Sequence, residues 1–330
     1  MPEENFNTVL YTGDAATTQA VTGVGFQPEF LWLKSRSAST GNIVQDVARG
    51  ATTRLETNSN GAQVTDATYV ASFDSDGFTV GNNTDVNANT ATYVARNWKA
   101  GGAAVSNGDG DITSSVSANT TAGFSIVSYT GDGDNTSSVG HGLTTTPGMI
   151  LLKALTGTQN WIVWHKNLTA TTGKSLYLNT GAAEVSNTSY WYDAAPNATT
   201  FHPGNGGASN GNTTEYIAYC FEEIEGYSKM GSYEGNSSTD GTFIYTGFTP
   251  AMVFVKNIEA ATNWIQHDYK RPGYNVHDKS LRPDGAGAAE SNNEVDFLSN
   301  GFKWRGDSYP NYDQASNQSG EKYVFYAEAV

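Results

Sequence analysis

Three short runs are apolar at almost every position and then stop at a lysine: Phe30-Leu31-Trp32-Leu33-Lys34, Met149-Ile150-Leu151-Leu152-Lys153 and Met252-Val253-Phe254-Val255-Lys256. Each is fed by a Gly/Pro turn, at Gly25-Phe26-Gln27-Pro28, Pro147-Gly148 and Gly247-Phe248-Thr249-Pro250. A run this short, bounded by turn chemistry and partly β-branched, predicts a buried strand rather than a helix. A second mark precedes each run: Tyr11-Thr12-Gly13-Asp14, Tyr129-Thr130-Gly131-Asp132 and Tyr233-Glu234-Gly235-Asn236. These tyrosines stand 118 and 104 residues apart, about one small domain. The pattern therefore predicts three repeats, at 1–102, 103–226 and 227–330.

The rest of each repeat reads as short strands and turns. Asp76-Gly77-Phe78 and Asn300-Gly301-Phe302 are Asx-Gly pairs between apolar runs, a strong hairpin signal. Tyr93-Val94-Ala95, Tyr216-Ile217-Ala218 and Tyr323-Val324-Phe325 align as closing strands. Lys99 to Asp111 reads as a flexible boundary continued by a Ser/Thr-rich connector from Ser114 to Thr121. Glu222 to Tyr227 is a short link, so the second and third repeats are expected to pack closely. The stretch from Phe201 to Glu215 reads as a long Gly/Asn-rich loop, the kind of segment that carries binding on a rigid scaffold. The last strand pattern reaches the final residues, which predicts an end tied into a sheet with no tail.

Composition sharpens the class. With 330 residues, 36 glycines and no Leu/Glu/Lys-rich helical pattern, the expectation is an all-β protein of three tandem β-sandwich modules, jelly-roll or lectin-like. A net charge of −15 argues against nucleic-acid binding. The lone Cys220 lies in a strand pattern and predicts a buried thiol, with no disulfide framework. Met1 to Asn5 lacks the basic and apolar regions of a signal peptide, and no segment has the apolar length of a membrane span.

Candidate chemistry is sparse. Five scattered histidines include His165 and His267, which fall at matching repeat positions near Asp46 of the first repeat; no metal-binding His spacing occurs. Asp109, Asp111, Asp132 and Asp134 form Asp/Gly turns that resemble pieces of calcium loops without the full pattern; the alternative is ordinary Asx turns. Glu222, Glu223 and Glu225 cluster at a link, and Asp193, Glu215 and Asp268 stand singly, so nothing selects the carboxylate pair of a glycosidase. In Trp161-Ile162-Val163-Trp164 the tryptophans face opposite sides of a strand, leaving one free to be exposed. Trp191, Tyr192, His202 and Asn205 are the candidate ligand-binding residues, with aromatics able to stack on a sugar ring or anchor a partner chain; the alternative for the aromatics is core or interface packing.

The run Tyr11-Thr12-Gly13, then Gly25 to Pro28, Arg49-Gly50-Ala51, Ser72 to Phe78, Tyr93-Val94-Ala95 and Trp98 to Gly102 resembles a tandem-repeat domain of marine bacteriophage virion and tail proteins. That domain is itself similar to concanavalin-like lectin sandwiches. Val139 to Leu143 and Asp296 to Phe302 fit the same pattern in later copies, and the resemblance covers nearly the whole chain. It implies a virion location and a non-enzymatic structural protein of a tail, fibre or surface appendage, acting in host adhesion or particle assembly. Its expected partners are other virion proteins, further copies of itself and a host surface glycan, with neither nucleic acid nor membrane insertion. No catalytic residue and no cofactor beyond a structural calcium are expected. The alternatives are a glycan-processing tail enzyme and a purely structural capsid decoration or scaffold.

Overall fold

The computed structural model describes residues 2–192, 194–305 and 313–330. Strand accounts for 43% and helix for 3%, in several antiparallel sheets with no barrel, so the fold is all-β. The three apolar runs become the strands Phe30–Ser35, Met149–Ala154 and Pro250–Asn257, every residue of which is buried. In each case the run sits between a closing strand and a shorter strand. Phe30–Ser35 pairs with Thr92–Trp98 and Ile43–Asp46, and Phe6–Thr12 pairs with the far side of Thr92–Trp98. Met149–Ala154 pairs with Glu215–Phe221 and Ile162–His165, with Phe124–Thr130 on the far side of Glu215–Phe221. Pro250–Asn257 pairs with Lys322–Ala329 and Ile265–Asp268, with Ser228–Glu234 outermost. The same four-strand ladder thus appears three times. Among the described residues no strand pairing crosses from residues up to 102 to those of 103–226, or from either to 227–330.

Side chains alternate across a strand, and each central strand divides its apolar residues between two cores. Leu31 and Leu33 join Val21, Val70, Phe78 and Val80 of a facing three-stranded sheet. Ile150 and Leu152 join Trp164, Trp191 and Phe201; Val253 and Val255 join Phe297, Phe302 and Trp304 of a facing four-stranded sheet. These are three local cores, one beside each ladder. The opposite parity, Phe30 and Trp32, Met149 and Leu151, Met252 and Phe254, enters a single core shared by all three ladders. Rings meet there between every pair of ladders: Phe30 with Tyr219 at 4.2 Å, Trp32 with Phe254 at 5.8 Å, and Phe221 with Tyr326 at 5.0 Å. A strand covered on both faces has no solvent side to mark with polar residues, which explains the uninterrupted apolar runs.

The Tyr-x-Gly mark also has a physical reason. Tyr11, Tyr129 and Tyr233 stack on Tyr93, Tyr216 and Tyr323 at 4.9, 5.1 and 4.9 Å between ring centroids. The loop entering each closing strand then presents Asn87, Asn210 or Asn317, whose Oδ1 accepts the amides of Asp14, Asp132 and Asn236 respectively. Gly13, Gly131 and Gly235 lie so close to that loop that a Cβ would stand 2.3, 2.5 and 2.3 Å from a backbone oxygen.

Three expectations change. Val105–Asn107 is the edge strand of the eight-stranded sheet and Ser114–Asn119 the strand next to it, not a connector. Ser114, Val116 and Ser117 are buried there, so small hydroxyl residues were masking a strand. The stretch from Phe201 to Glu215 is a tied loop: Ser209 and Asn210 are fully buried, and Ser209 Oγ donates to the Ser189 and Gly204 carbonyls. The histidine alignment is one residue out. His165 faces Met149 across the ladder, the position held by Asp46 opposite Phe30 and by Asp268 opposite Met252. His267 instead corresponds to Trp164 and Gln45. Hydrogen bonding sets this register, which an apolar pattern common to all three copies leaves undetermined.

Because the shared core draws on all three ladders, unfolding is expected to be one cooperative transition. Trp32→Ala, an aromatic-to-alanine change in that core, should cost about 3–5 kcal/mol and lower the single calorimetric transition without splitting it. Two or three independent transitions would show that the ladders fold separately.

Candidate functional site: the seams between the ladders

Where two ladders meet, main-chain and side-chain groups reach across in a cyclic order. Lys34, Lys153 and Lys256, which end the apolar runs, are fully buried. Lys34 Nζ donates to the carbonyl of Ala286 in the third ladder's segment at 2.8 Å, Lys153 to Asn60 in the first at 3.4 Å, and Lys256 to Gly181 in the second at 3.3 Å. Alongside, Trp161 Nε1 donates to Glu56 O at 2.9 Å and Trp264 Nε1 to Tyr177 O at 2.8 Å. Asn42 takes that place in the first repeat, donating to Arg282 O and Gly285 O at 3.1 and 2.8 Å. The amides of Gln63, Glu184 and Ala289 complete the seams by donating to Leu155 O, Ile258 O and Arg36 O. Burial lowers each lysine to about 8, since the charged form loses its water.

A second cyclic set lies deeper. Asp46 accepts Tyr219 Oη at 2.6 Å, His165 Nε2 lies 3.1 Å from Phe325 O, and Asp268 accepts Arg96 Nη2 at 2.8 Å. Burial pushes His165 down to about 4, so it is neutral at pH 7. Asp268 is completely buried, yet two guanidiniums, Arg271 and Arg96, hold it below the usual carboxylate range against the effect of burial. At the centre, Glu328 accepts Trp98 Nε1 at 3.0 Å and is bonded by Tyr326 Oη; burial raises it well above an ordinary glutamate.

Two of the seams open into grooves lined by described residues, and both carry the motif Asp-x-x-Arg. In Asp46-Val47-Ala48-Arg49 and Asp268-Tyr269-Lys270-Arg271, the arginine Nε donates to the aspartate Oδ2 at 2.6 Å. Nη2 then donates back to the strand, to Val44 O at 3.3 Å and Gln266 O at 3.1 Å, leaving a buried Nη1 without a partner among the described residues. Arg49 helps to line an open groove of about 550 Å³ between the first and second ladders, with Gln63, Ser128, Thr130 and Glu215. Arg271 helps to line one of about 410 Å³ between the third and first, with Arg36, Tyr274, Val276, Asp278 and Lys279. The third seam has His165-Lys166-Asn167-Leu168 at the corresponding place, and Leu168 is buried in the shared core.

The candidate ligand residues lie elsewhere. Trp191 is core, 1% exposed and edge-on to Phe201 at 6.3 Å, so it offers no exposed platform. Tyr192 and His202 are half-buried, and Asn205 is exposed, its amide donating to Asn135 Oδ1. Trp161 and Trp164 do face opposite sides, but both are buried, one in the shared core and the other in the second local core. The aspartates serve their own turns. Asp109 accepts Asn107 Nδ2, Asp111 accepts the Ser138 amide and hydroxyl, Asp132 accepts Ser137 Oγ and Asn210 Nδ2, and Asp134 accepts the Thr136 amide. Among the described residues no three His, Cys, Asp or Glu converge as a metal-binding group. Glu222 accepts the Thr144 and Thr145 hydroxyls, and Glu223 pairs with Lys166 and Lys229. Asp193 lies outside the described residues. Cys220 is buried, and burial pushes its thiol up to about 12.

A family described only as a domain of unknown function, DUF7483, matches residues 1–329. The chain belongs to this family. The DUF7483 match runs through all three ladders as one domain, in keeping with their shared core. A search of curated proteins and a search of solved structures each returned no match.

The lysines give a pH test. An unfolded lysine keeps its proton to about 10.5, whereas the folded ones release it near 8, so the unfolded chain binds more protons between those values. Their contribution to stability therefore rises as pH rises through that window and is least favourable below pH 8. Lys153→Met should compare best with the wild type at pH 7, and the comparison should turn against it by pH 9.5 in urea titrations. A difference independent of pH would show that the lysine is not desolvated.

Proposed function

We propose that this protein is a non-enzymatic virion protein of a bacteriophage, a component of a tail, fibre or surface appendage that acts in host adhesion or particle assembly. The observation that carries the binding part is the pair of open grooves at the Arg49 and Arg271 seams, each lined by two ladders and backed by a guanidinium whose buried Nη1 has no partner among the described residues. Sites between packed units are where a rigid scaffold holds ligand-contacting groups in fixed relation. The virion part rests on the resemblance of the repeats to those of phage tail and virion proteins.

Several features favour binding over catalysis. Asp46, His165 and Asp268 are spent on contacts between ladders, while Glu222 and Glu223 hold a link in place. Glu215 stands in its groove with hydroxyl-bearing neighbours and an arginine already paired to Asp46. Partners under this reading are other virion proteins, further copies of the chain and a surface glycan, and copies in an appendage would raise weak single contacts by avidity.

The test is to find the protein in purified particles by mass spectrometry and to screen the purified chain on a glycan array, with reducing-end release followed in parallel. The expected result is particle association and glycan retention without release of new reducing ends. Sustained release would replace this reading with a glycan-processing tail enzyme. Particle association without glycan retention would favour the structural scaffold.

A further inference from the structure

The two grooves differ in charge. At the first, Arg49 is matched by Asp46 and Glu215 stands at the lining. At the second, two buried arginines, Arg96 and Arg271, share the one carboxylate of Asp268, which leaves an excess positive charge beneath the groove. Arg36 lines the same groove half-buried, and no hydrogen bond or ion pair of its guanidinium occurs among the described residues; burial and the charge of Arg271 together lower its pKa. Lys279 adds a cation paired to Asp278 at 3.1 Å and bonded to Ser291 Oγ. Tyr274 is 78% exposed and Val276 39% exposed on the same lining. A guanidinium with no partner among the described residues, over a net positive base and on the same lining as an exposed phenol ring, is unusual on a chain of net charge −15. A planar fork of donors suits a carboxylate or sulfate, and an aromatic face suits the apolar side of a sugar ring.

From this geometry we infer that the seam between the third and first ladders is a binding site for an acidic saccharide. Arg36 grips one carboxylate or sulfate group and Tyr274 stacks on the ring that carries it. The inference rests on the adhesion reading above and adds the ligand class and the place. The surrounding negative field selects against densely charged polymers, so the ligand carries its acidic groups on alternate or more widely spaced sugars.

The test uses the full chain and a tetrasaccharide that alternates glucuronate with a neutral sugar, followed by calorimetry and by chemical-shift changes at low salt. A sulfated tetrasaccharide of the same spacing separates the two anions, and the methyl ester keeps the rings while removing the charge. Arg36→Gln and Tyr274→Ala alter a half-buried and an exposed side chain, so their thermal transitions should stay at the wild-type value. Arg36→Gln and esterification are each expected to weaken binding about tenfold, the scale of a lost charge-assisted bond, Tyr274→Ala up to about tenfold, the scale of a lost aromatic stacking contact, and added salt should weaken binding further. Equal binding by Arg36→Gln, by Tyr274→Ala or of the ester would overturn the assignment. So would an absence of binding by both acidic probes at millimolar concentration. Retention of neutral glycans under that last outcome would leave the adhesion reading standing and move it to the other groove.

Discussion

The structure depends on burying both faces of three central strands. A sheet with one wet face shows alternation, and a lone sandwich needs only one covered face per sheet. Here the second face of each ladder is as apolar as the first. Phe30, Trp32, Met149, Leu151, Met252 and Phe254 find cover only in one another and in the neighbours that join them. Each ladder therefore requires the other two. The buried lysines, the indole and amide donors and the cyclic set of Asp46, His165 and Asp268 satisfy polar groups that this packing would otherwise strand.

That arrangement explains what was legible in the sequence. Apolar runs closing on lysine, Tyr-x-Gly marks and Asx-Gly turns were readable because each reports a local condition: a buried strand, a stacked tyrosine beside a crowded glycine, a tight hairpin. The shared core was not readable, since a strand buried in its own sandwich and one buried on both faces give the same run. Ser114–Asn119 escaped for the opposite reason, two of its three buried positions being filled by serine. Trp191 drew attention as an aromatic near a loop, and only the third dimension shows the ring inside a core.

The grooves were hidden by sequence distance. Arg36 and Arg271 are 235 positions apart and line one cleft, and Arg49 meets Glu215 in the other. A signal did exist: Asp46-x-x-Arg49 and Asp268-x-x-Arg271 repeat where the second copy has His165-x-x-Leu168. A repeat that keeps an ion pair in two copies and replaces it with an apolar residue in the third marks the seams that differ. That comparison needs the register of Phe30, Met149 and Met252 against the strand beside them, which came from the ladders.

The strand Lys322–Ala329 has a further consequence. It places Tyr326 and Glu328 in the shared core against Phe221 and Trp98. During synthesis the first ladder's strands leave the ribosome more than two hundred residues before this one does. Until it arrives, the Trp98 indole lacks its Glu328 acceptor and Phe221 lacks the Tyr326 ring. The nascent chain thus carries uncovered apolar surface until that strand has emerged, and closure of the shared core waits on the last of the three ladders. Chaperone occupancy and temperature during expression would then bear on yield alongside the stability of the finished protein.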